Sequence, residues 1–402
     1  MHRRLADRVI QMPRTGMRRF FELALNHRDV VSLGIGEPDF VTPEPIREAA
    51  IASLRRGETG YTILSGIPEL RAAVARHLER LYGVAYDPAK EILLTVGTSQ
   101  GLHASLTVLL NPGDEVLVPQ PNYLCYVPTI SLAGGTPVAV PVRAENRFQV
   151  AAAAVESAIT PQTKAIVLNY PNNPTGAVLE RAVAEELAGV VRRHDLLLLS
   201  DEVYDRLTYG VEHVCLAGLD GMQERTLLLG GFSKAYAMTG WRLGYVAGHA
   251  ELIEALIRVH QYMVMCPPVT AQRAALCALE SGESNLEKMR LEFDRRRRQL
   301  HEGLLRLGLD CVEPRGAFYA FPSVKSTGLS GVEFAERLVE EERVVVIPGQ
   351  IFGQGGGDFV RCSFSVSSSV ISEALERMGR FLARLRNGSP GSSPSRAGEP
   401  GS

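Results

Sequence analysis

Thr226-Leu227-Leu228-Leu229-Gly230 leads into Ser233-Lys234 and then into Met238-Thr239-Gly240-Trp241-Arg242-Leu243-Gly244-Tyr245. After Thr226 the first run offers no polar side chain to either face, the mark of a strand covered on both sides. A second apolar run, Leu243–Ala247, follows. The same texture extends upstream through Glu91–Val96, Glu115–Val118, Pro137–Val140, Lys164–Leu168 and Leu196–Ser200, with helix-length amphipathic stretches between them. Helices are expected at Pro68–Leu81, where Pro68 suits a first turn, at Ser99–Leu109 and at Glu180–His194. Short buried strands alternating with helices define an α/β fold with a mainly parallel central sheet.

Beyond Gly282 the pattern changes to a long charged helix, Asn285–Leu305, containing Arg295-Arg296-Arg297-Arg298 beside Glu287, Glu292 and Asp294. Charges of both signs at this spacing read as a solvated helix face rather than a nucleic-acid patch. Strand-like Val344–Ile347, Phe359–Phe364 and a last helix near Ile371–Leu385 suggest a smaller α/β domain. The expected division is an N-terminal arm with part of the small domain (1–44), a large domain (45–282), a small C-terminal domain (283–386) and a Gly/Ser/Pro-rich disordered tail (387–402).

The chain has 402 residues, 45% hydrophobic and 22% charged, with a net charge of −2, so a small-molecule substrate is a better default than nucleic acid or an anionic membrane. No apolar run has membrane-spanning length and the N-terminus lacks a signal-peptide pattern, so a cytoplasmic location is expected. The six cysteines are scattered without a Cys-x-x-Cys pair, and the nine histidines form no metal-binding spacing; reduced, buried thiols and no metal are expected.

A lysine at the end of a buried strand is costly unless it has a special partner or is covalently modified. A desolvated amine loses its proton readily and can condense with a carbonyl, as in enzymes that carry pyridoxal 5′-phosphate (PLP). The surrounding motifs occur in the order such a site needs. Gly97-Thr98-Ser99-Gln100-Gly101 lies between a strand and a helix, where free N–H groups and hydroxyls suit a phosphate, and Arg242 adds a cation. Asn169-Tyr170-Pro171-Asn172-Asn173-Pro174-Thr175-Gly176 follows a strand C-terminus; as an isolated segment it is an ordinary turn. Asp201, in Ser200-Asp201-Glu202-Val203-Tyr204, is placed either to face a protonated ring nitrogen or to cap a helix, and Tyr204 and Asn173 are candidate donors to a phenolate oxygen. Tyr123 is placed to stack on a ring, and the fork of Arg361 suits an α-carboxylate.

Asn173-Pro174-Thr175-Gly176, Ser200 to Tyr204, Ser233-Lys234 with Thr239-Gly240-Trp241-Arg242, and Arg361 together resemble the class I/II aminotransferases, fold-type I PLP enzymes. Leu33–Phe40, Gly60-Tyr61-Thr62 and Gly66–Arg71 extend the resemblance toward the N-terminus, so that it covers roughly residues 5–386. It implies a homodimeric transferase that moves an amino group from an L-amino acid, aromatic or broad in range with aspartate among the candidates, to a 2-oxo acid such as 2-oxoglutarate by a ping-pong mechanism. By resemblance, Lys234 carries the cofactor and moves the substrate proton, Asp201 pairs with the ring nitrogen, and Tyr204 and Asn173 bind its O3′. Thr98, Ser99 and Arg242 hold the phosphate, Gly97 and Ser233 also bind the cofactor, Tyr123 stacks on the ring, and Tyr61 reaches the neighbouring subunit's phosphate. Gly36, Asn173 and Arg361 bind the substrate, while Ile35, Tyr319 and Tyr262–Cys266 help line its side-chain pocket.

Two departures stand out. Gly231 occupies the place where many relatives have a phosphate-binding serine, and neither Thr98-Ser99-Gln100 nor Tyr262–Pro268 holds a basic residue for a distal carboxylate. Rival readings are a PLP lyase or decarboxylase on the same scaffold, and a PLP-linked regulator. A third is a serine hydrolase in which Gly97-Thr98-Ser99-Gln100-Gly101 is the nucleophile elbow and Ser99 the nucleophile.

Overall fold

The computed structural model describes residues 5–10, 12, 16 and 29–388. Its centre is a seven-stranded sheet of β2 (Ile92–Thr95), β3 (Glu115–Gln120), β4 (Thr136–Pro141), β5 (Thr163–Asn169), β6 (Leu197–Asp201), β7 (Thr226–Gly231) and β8 (Gly244–Ala247), following β1 (Val31–Ser32) in the chain. The spatial order is β2-β8-β7-β6-β5-β3-β4. Only β8 runs antiparallel, between β2 and β7. All seven apolar runs seen in the sequence are therefore strands of one sheet, displaced at their ends by one or two residues.

Alternate side chains of these strands enter two different cores. Val116, Val118, Val167 and Leu199 pack beneath the helices Gly97–Leu109 and Ala250–Met263. Leu117, Ile166, Leu168 and Leu198 pack beneath the helix Arg181–Arg193. Each buried leucine of this kind contributes about 1.5–3 kcal/mol through removal from water, so both faces hold the sheet between its helices.

The chain continues through the 24-residue helix Glu283–Arg306, then β9 (Tyr319–Ala320), β10 (Val344–Val345), β11 (Ile347–Pro348), β12 (Val360–Ser363) and the helix Ser368–Arg386. β11, β12 and β9 form an antiparallel sheet, whereas β10 pairs in parallel with β1. Val344–Ile347 is thus not one strand: the chain changes partner at Val346. The helix Gly331–Glu342 begins with a reciprocal cap, in which Ser330 Oγ accepts from Glu333 N and the Glu333 carboxylate accepts from Ser330 N. The proposed tail beyond Gly388 lies outside the described residues, as does most of the arm before Asp29.

The arginine run corrects a simple expectation. Arg295 and Arg298 are exposed, but Arg296 and Arg297 are buried. Arg296 bonds Glu292 and Asp39 at 2.8 Å, and Arg297 bonds Asp294 at 2.8 Å and Glu313 at 2.7 Å. Half the run therefore ties the long helix to neighbouring segments. The thiols also differ from expectation: all six are free, but only Cys215 and Cys362 are fully buried. Among the described residues no His, Cys, Asp and Glu side chains cluster as a metal site, and no helix is long and apolar enough to cross a membrane.

Candidate active site

β2, β3, β5, β6 and β7 run parallel, so the segments after them leave from one edge of the sheet. Asn169 and Asp201 end adjacent strands in register, and Asp201 is level with Leu229 of β7, five residues before Lys234. The antiparallel β8 starts at the same edge, which brings in Arg242. β12 supplies Arg361 from the smaller sheet.

Lys234 Nζ donates to Gly36 O at 2.7 Å. Burial lowers its pKa to about 8; Arg361 and Arg242 push the same way, against the carboxylates of Glu37 and Asp201. Asp201 is 5% exposed and caps no helix: Oδ2 accepts from Tyr126 OH at 2.7 Å and Oδ1 from Val203 N at 3.3 Å. Burial raises its pKa to about 6, with Tyr126 opposing. A buried carboxylate that is hard to ionise is suited to a cationic partner.

Arg361 is also buried, with Nη1 donating to Asn173 Oδ1 at 2.9 Å and Nη2 to Gly34 O at 2.8 Å. Its guanidinium lies between aromatic rings, 4.4 Å from the centroid of Tyr319 and 5.0 Å from that of Phe352. Nε has no partner. An unpaired buried donor on a permanent cation is costly, so the arrangement fits an anion supplied from outside the chain. Asn173 is held by the turn: its N donates to Asn169 Oδ1 at 3.0 Å, and Thr175 N and Oγ1 donate to Asn172 Oδ1 at 3.1 and 2.7 Å.

The helix Gly97–Leu109 begins without a side-chain cap. Gly97 has φ +70°, and a Cβ there would stand 2.7 Å from Arg242 Nη2. Glycine thus lets the guanidinium lie against a helix N-terminus, where first-turn N–H groups and the cation together suit a phosphate. The Gly231 departure has a steric explanation: a Cβ at that position would be 2.8 Å from Thr98 Oγ1, which donates to Gly230 O at 3.2 Å. The threonine hydroxyl occupies the space that a serine side chain would need.

Tyr123 is half-buried, edge-on to Tyr126 at 5.7 Å. Ser233 is buried beside Lys234. Tyr204 is buried, its hydroxyl 2.9 Å from that of Tyr319. Ser99 is exposed, and no hydrogen bond joins it to a histidine among the described residues, which removes support from the hydrolase reading. Tyr61 stands apart at 84% exposure. Sequence reasoning missed Tyr126 as the donor to Asp201 and Tyr319 as the partner of Tyr204 and Arg361. No local pattern signalled either contact, because the partners lie 75 and 115 residues apart in the chain.

A helix N-terminus beside Arg242, the desolvated Lys234, the buried carboxylate of Asp201 and the buried guanidinium of Arg361 are chemically suited to PLP and a carboxylate-bearing substrate. The sequence model for class I and II aminotransferases matches residues 28–378, and the chain belongs to that family, whose members depend on PLP. It is 46% identical over 378 residues to the putative aminotransferase YugH of Bacillus subtilis, covering 94% of this chain and 98% of that one. It is 44% identical to an aromatic-amino-acid aminotransferase of Thermococcus litoralis, covering 94% and 98%. Among solved structures, the aspartate aminotransferase of Thermus thermophilus superposes with a TM-score of 0.89 at 41% identity, covering 94% of this chain and 99% of that one. The protein is a PLP-dependent aminotransferase acting on an amino acid and a 2-oxo acid.

Proposed function

We propose that this aminotransferase accepts a broad range of L-amino acids, aromatic ones included and aspartate without strict preference, with 2-oxoglutarate as an acceptor. The observation that carries the reading is Arg361, a buried carboxylate clamp with an unpaired Nε, in a chain with no basic residue at Thr98-Ser99-Gln100 or Tyr262–Pro268 for a second carboxylate. The aromatic and aspartate names of its relatives span the same range.

PLP, when bound, supplies an electron sink for the charge left at the substrate Cα. Lys234 takes the Cα proton, and its lowered basicity suits a group that must both accept and release a proton near neutral pH. Asp201 holds the ring nitrogen in its cationic form, with Tyr126 orienting the carboxylate. Thr98, Ser99, Arg242 and the Gly97 backbone hold the phosphate; Tyr204 and Asn173 donate to O3′; Tyr123 stacks on the ring. Arg361, with Gly36 and Asn173 beside it, binds the α-carboxylate of the amino acid and of the oxo acid in turn, which gives ping-pong order.

The large domain of residues 45–282 would hold the cofactor and residues 283–386 would supply the clamp. The exposed Tyr61, Ile63, Tyr262 and Met265 favour a homodimer in which Tyr61 reaches the partner's phosphate site. Activity that persists in fully dissociated chains on dilution would reject the shared site. Scattered unpaired cysteines favour a reducing compartment, the cytoplasm.

A panel of L-amino donors against 2-oxoglutarate tests the substrate range: turnover of aspartate alone overturns it. In the same assay Arg361→Lys is expected to raise KM for every donor by about 10- to 100-fold, because an ammonium cannot reproduce the two-toothed contact. Unchanged KM values would place the carboxylate elsewhere.

A further inference from the structure

We propose that Tyr319 is a positioning residue that joins the carboxylate clamp to the cofactor's phenolate oxygen, by donating a hydrogen bond to Tyr204 and supporting Arg361 with its ring. This rests on the reading above that Tyr204 donates to O3′.

Tyr319 is 1% exposed, lies on β9 and pairs with Ser363 of β12, two residues from Arg361. Its ring supports the guanidinium at 4.4 Å, and its hydroxyl is 2.9 Å from that of Tyr204. Space for that hydroxyl depends on Gly36, where a Cβ would be 2.7 Å from the Tyr319 oxygen. The backbone carbonyl of Gly36 also receives Lys234 Nζ, so one glycine accommodates both the tyrosine and the lysine.

A hydroxyl has one proton. If Tyr204 gives its proton to O3′, the short bond to Tyr319 requires Tyr319 to be the donor. Burial pushes the Tyr319 hydroxyl's pKa up, so it keeps its proton and can donate it, while the guanidinium 4.4 Å from its ring centroid opposes that rise and polarises the O–H bond. A hydroxyl that accepts a hydrogen bond is itself a stronger donor. Tyr319 therefore strengthens Tyr204 toward O3′, and a carboxylate arriving at Arg361 offsets the charge that polarises Tyr319. Substrate binding at the clamp is thereby linked to the protonation of the bound cofactor.

The test is an absorbance titration of the cofactor-loaded protein, with KM measured separately. Tyr319→Phe keeps the ring and removes the donor. It is expected to move the pH midpoint of the cofactor's visible absorbance upward by about a few tenths of a unit, because a less stabilised phenolate holds the adjacent proton more tightly. KM should stay within about twofold while the ring still supports Arg361. Tyr319→Leu removes both functions and should also raise KM for amino and oxo acids by about 2- to 30-fold, the equivalent of one cation–π contact.

In a Tyr204→Phe background the Tyr319→Phe change should produce no further midpoint shift, which separates a bond acting through Tyr204 from general loosening of the site. A midpoint moved by Tyr204→Phe but not by Tyr319→Phe overturns this proposal alone. A midpoint indifferent to both overturns the role of Tyr204 and this proposal together. Equal shifts from Tyr319→Phe in both backgrounds show that it does not act through Tyr204, and also overturn the inference.

Discussion

Lys234→Ala is expected to abolish amino transfer while leaving the fold and the phosphate cradle intact. Alanine is small enough to enter the site without overlap, and Thr98, Arg242 and the N-terminus of Gly97–Leu109 do not depend on the lysine for their positions. Loss of positioned proton transfer alone is worth about 10²- to 10⁴-fold in rate, and the covalent hold on PLP disappears as well. The wild-type protein should be yellow after loading with PLP and, once reduced with borohydride, should keep the cofactor covalently attached through dialysis, whereas the mutant should lack the lysine-dependent yellow and lose its cofactor on dialysis. Full turnover in the mutant would exclude Lys234.

The same lysine predicts a pH dependence. Only the neutral amine is a nucleophile, and burial lowers the Lys234 pKa from 10.5 to about 8. The rate at which cofactor-free protein takes up PLP should therefore rise through about pH 8 and level off above it. A rise centred near an ordinary lysine value would mean that the amine is not desolvated before the cofactor arrives.

The part of this site legible in the sequence is the part carried by local pattern. Leu196–Ser200 and Thr226–Gly230 are readable as strands because burial on both faces removes polar alternation, and the residues just after them are then fixed at one edge of a parallel sheet. That is enough to bring Asn173, Asp201 and Lys234 to the same region. The pattern is blind to strand direction: an antiparallel β8 has the same apolar composition as a parallel one, although its reversal is what returns Arg242 to the cradle. Val344–Ile347 was similarly ambiguous, since four apolar residues do not reveal that Val344 and Val345 pair with β1 while Ile347, after the break at Val346, pairs with β12.

Long-range partners were less visible. A tyrosine buried against core residues resembles any packed aromatic until its hydroxyl is located, so Tyr126 on Asp201 and Tyr319 on Tyr204 could not be assigned from spacing. Arg296 and Arg297 show the converse: a charged sequence run conceals two buried arginines, one held by Asp39 from 257 residues away and the other by Glu313 on the segment that follows the helix. Patterns along a chain report how a side chain meets its own strand or helix; the identity of a partner on another element, as with Tyr126 and Asp201, is set only when sheets and helices pack.

Asp201→Asn is the second large effect expected. The substitution keeps nearly the same shape, and the asparagine Oδ1 can accept from Tyr126 OH as the carboxylate does at 2.7 Å. What it removes is the negative charge against the ring nitrogen. Bound PLP should therefore be retained through Lys234 and the phosphate cradle, while the substrate Cα proton becomes harder to remove because the ring is no longer held cationic. Removing one partner of a buried charge pair costs about 3–5 kcal/mol, which corresponds to a fall of about two to four orders of magnitude in rate. Exchange of the Cα hydrogen for deuterium, followed by proton NMR on PLP-loaded protein, reads this step without requiring complete turnover. Slow exchange with PLP still bound is the expected result. Exchange at the wild-type rate would show that ring protonation does not depend on Asp201, and would leave the carboxylate as a structural partner of Tyr126.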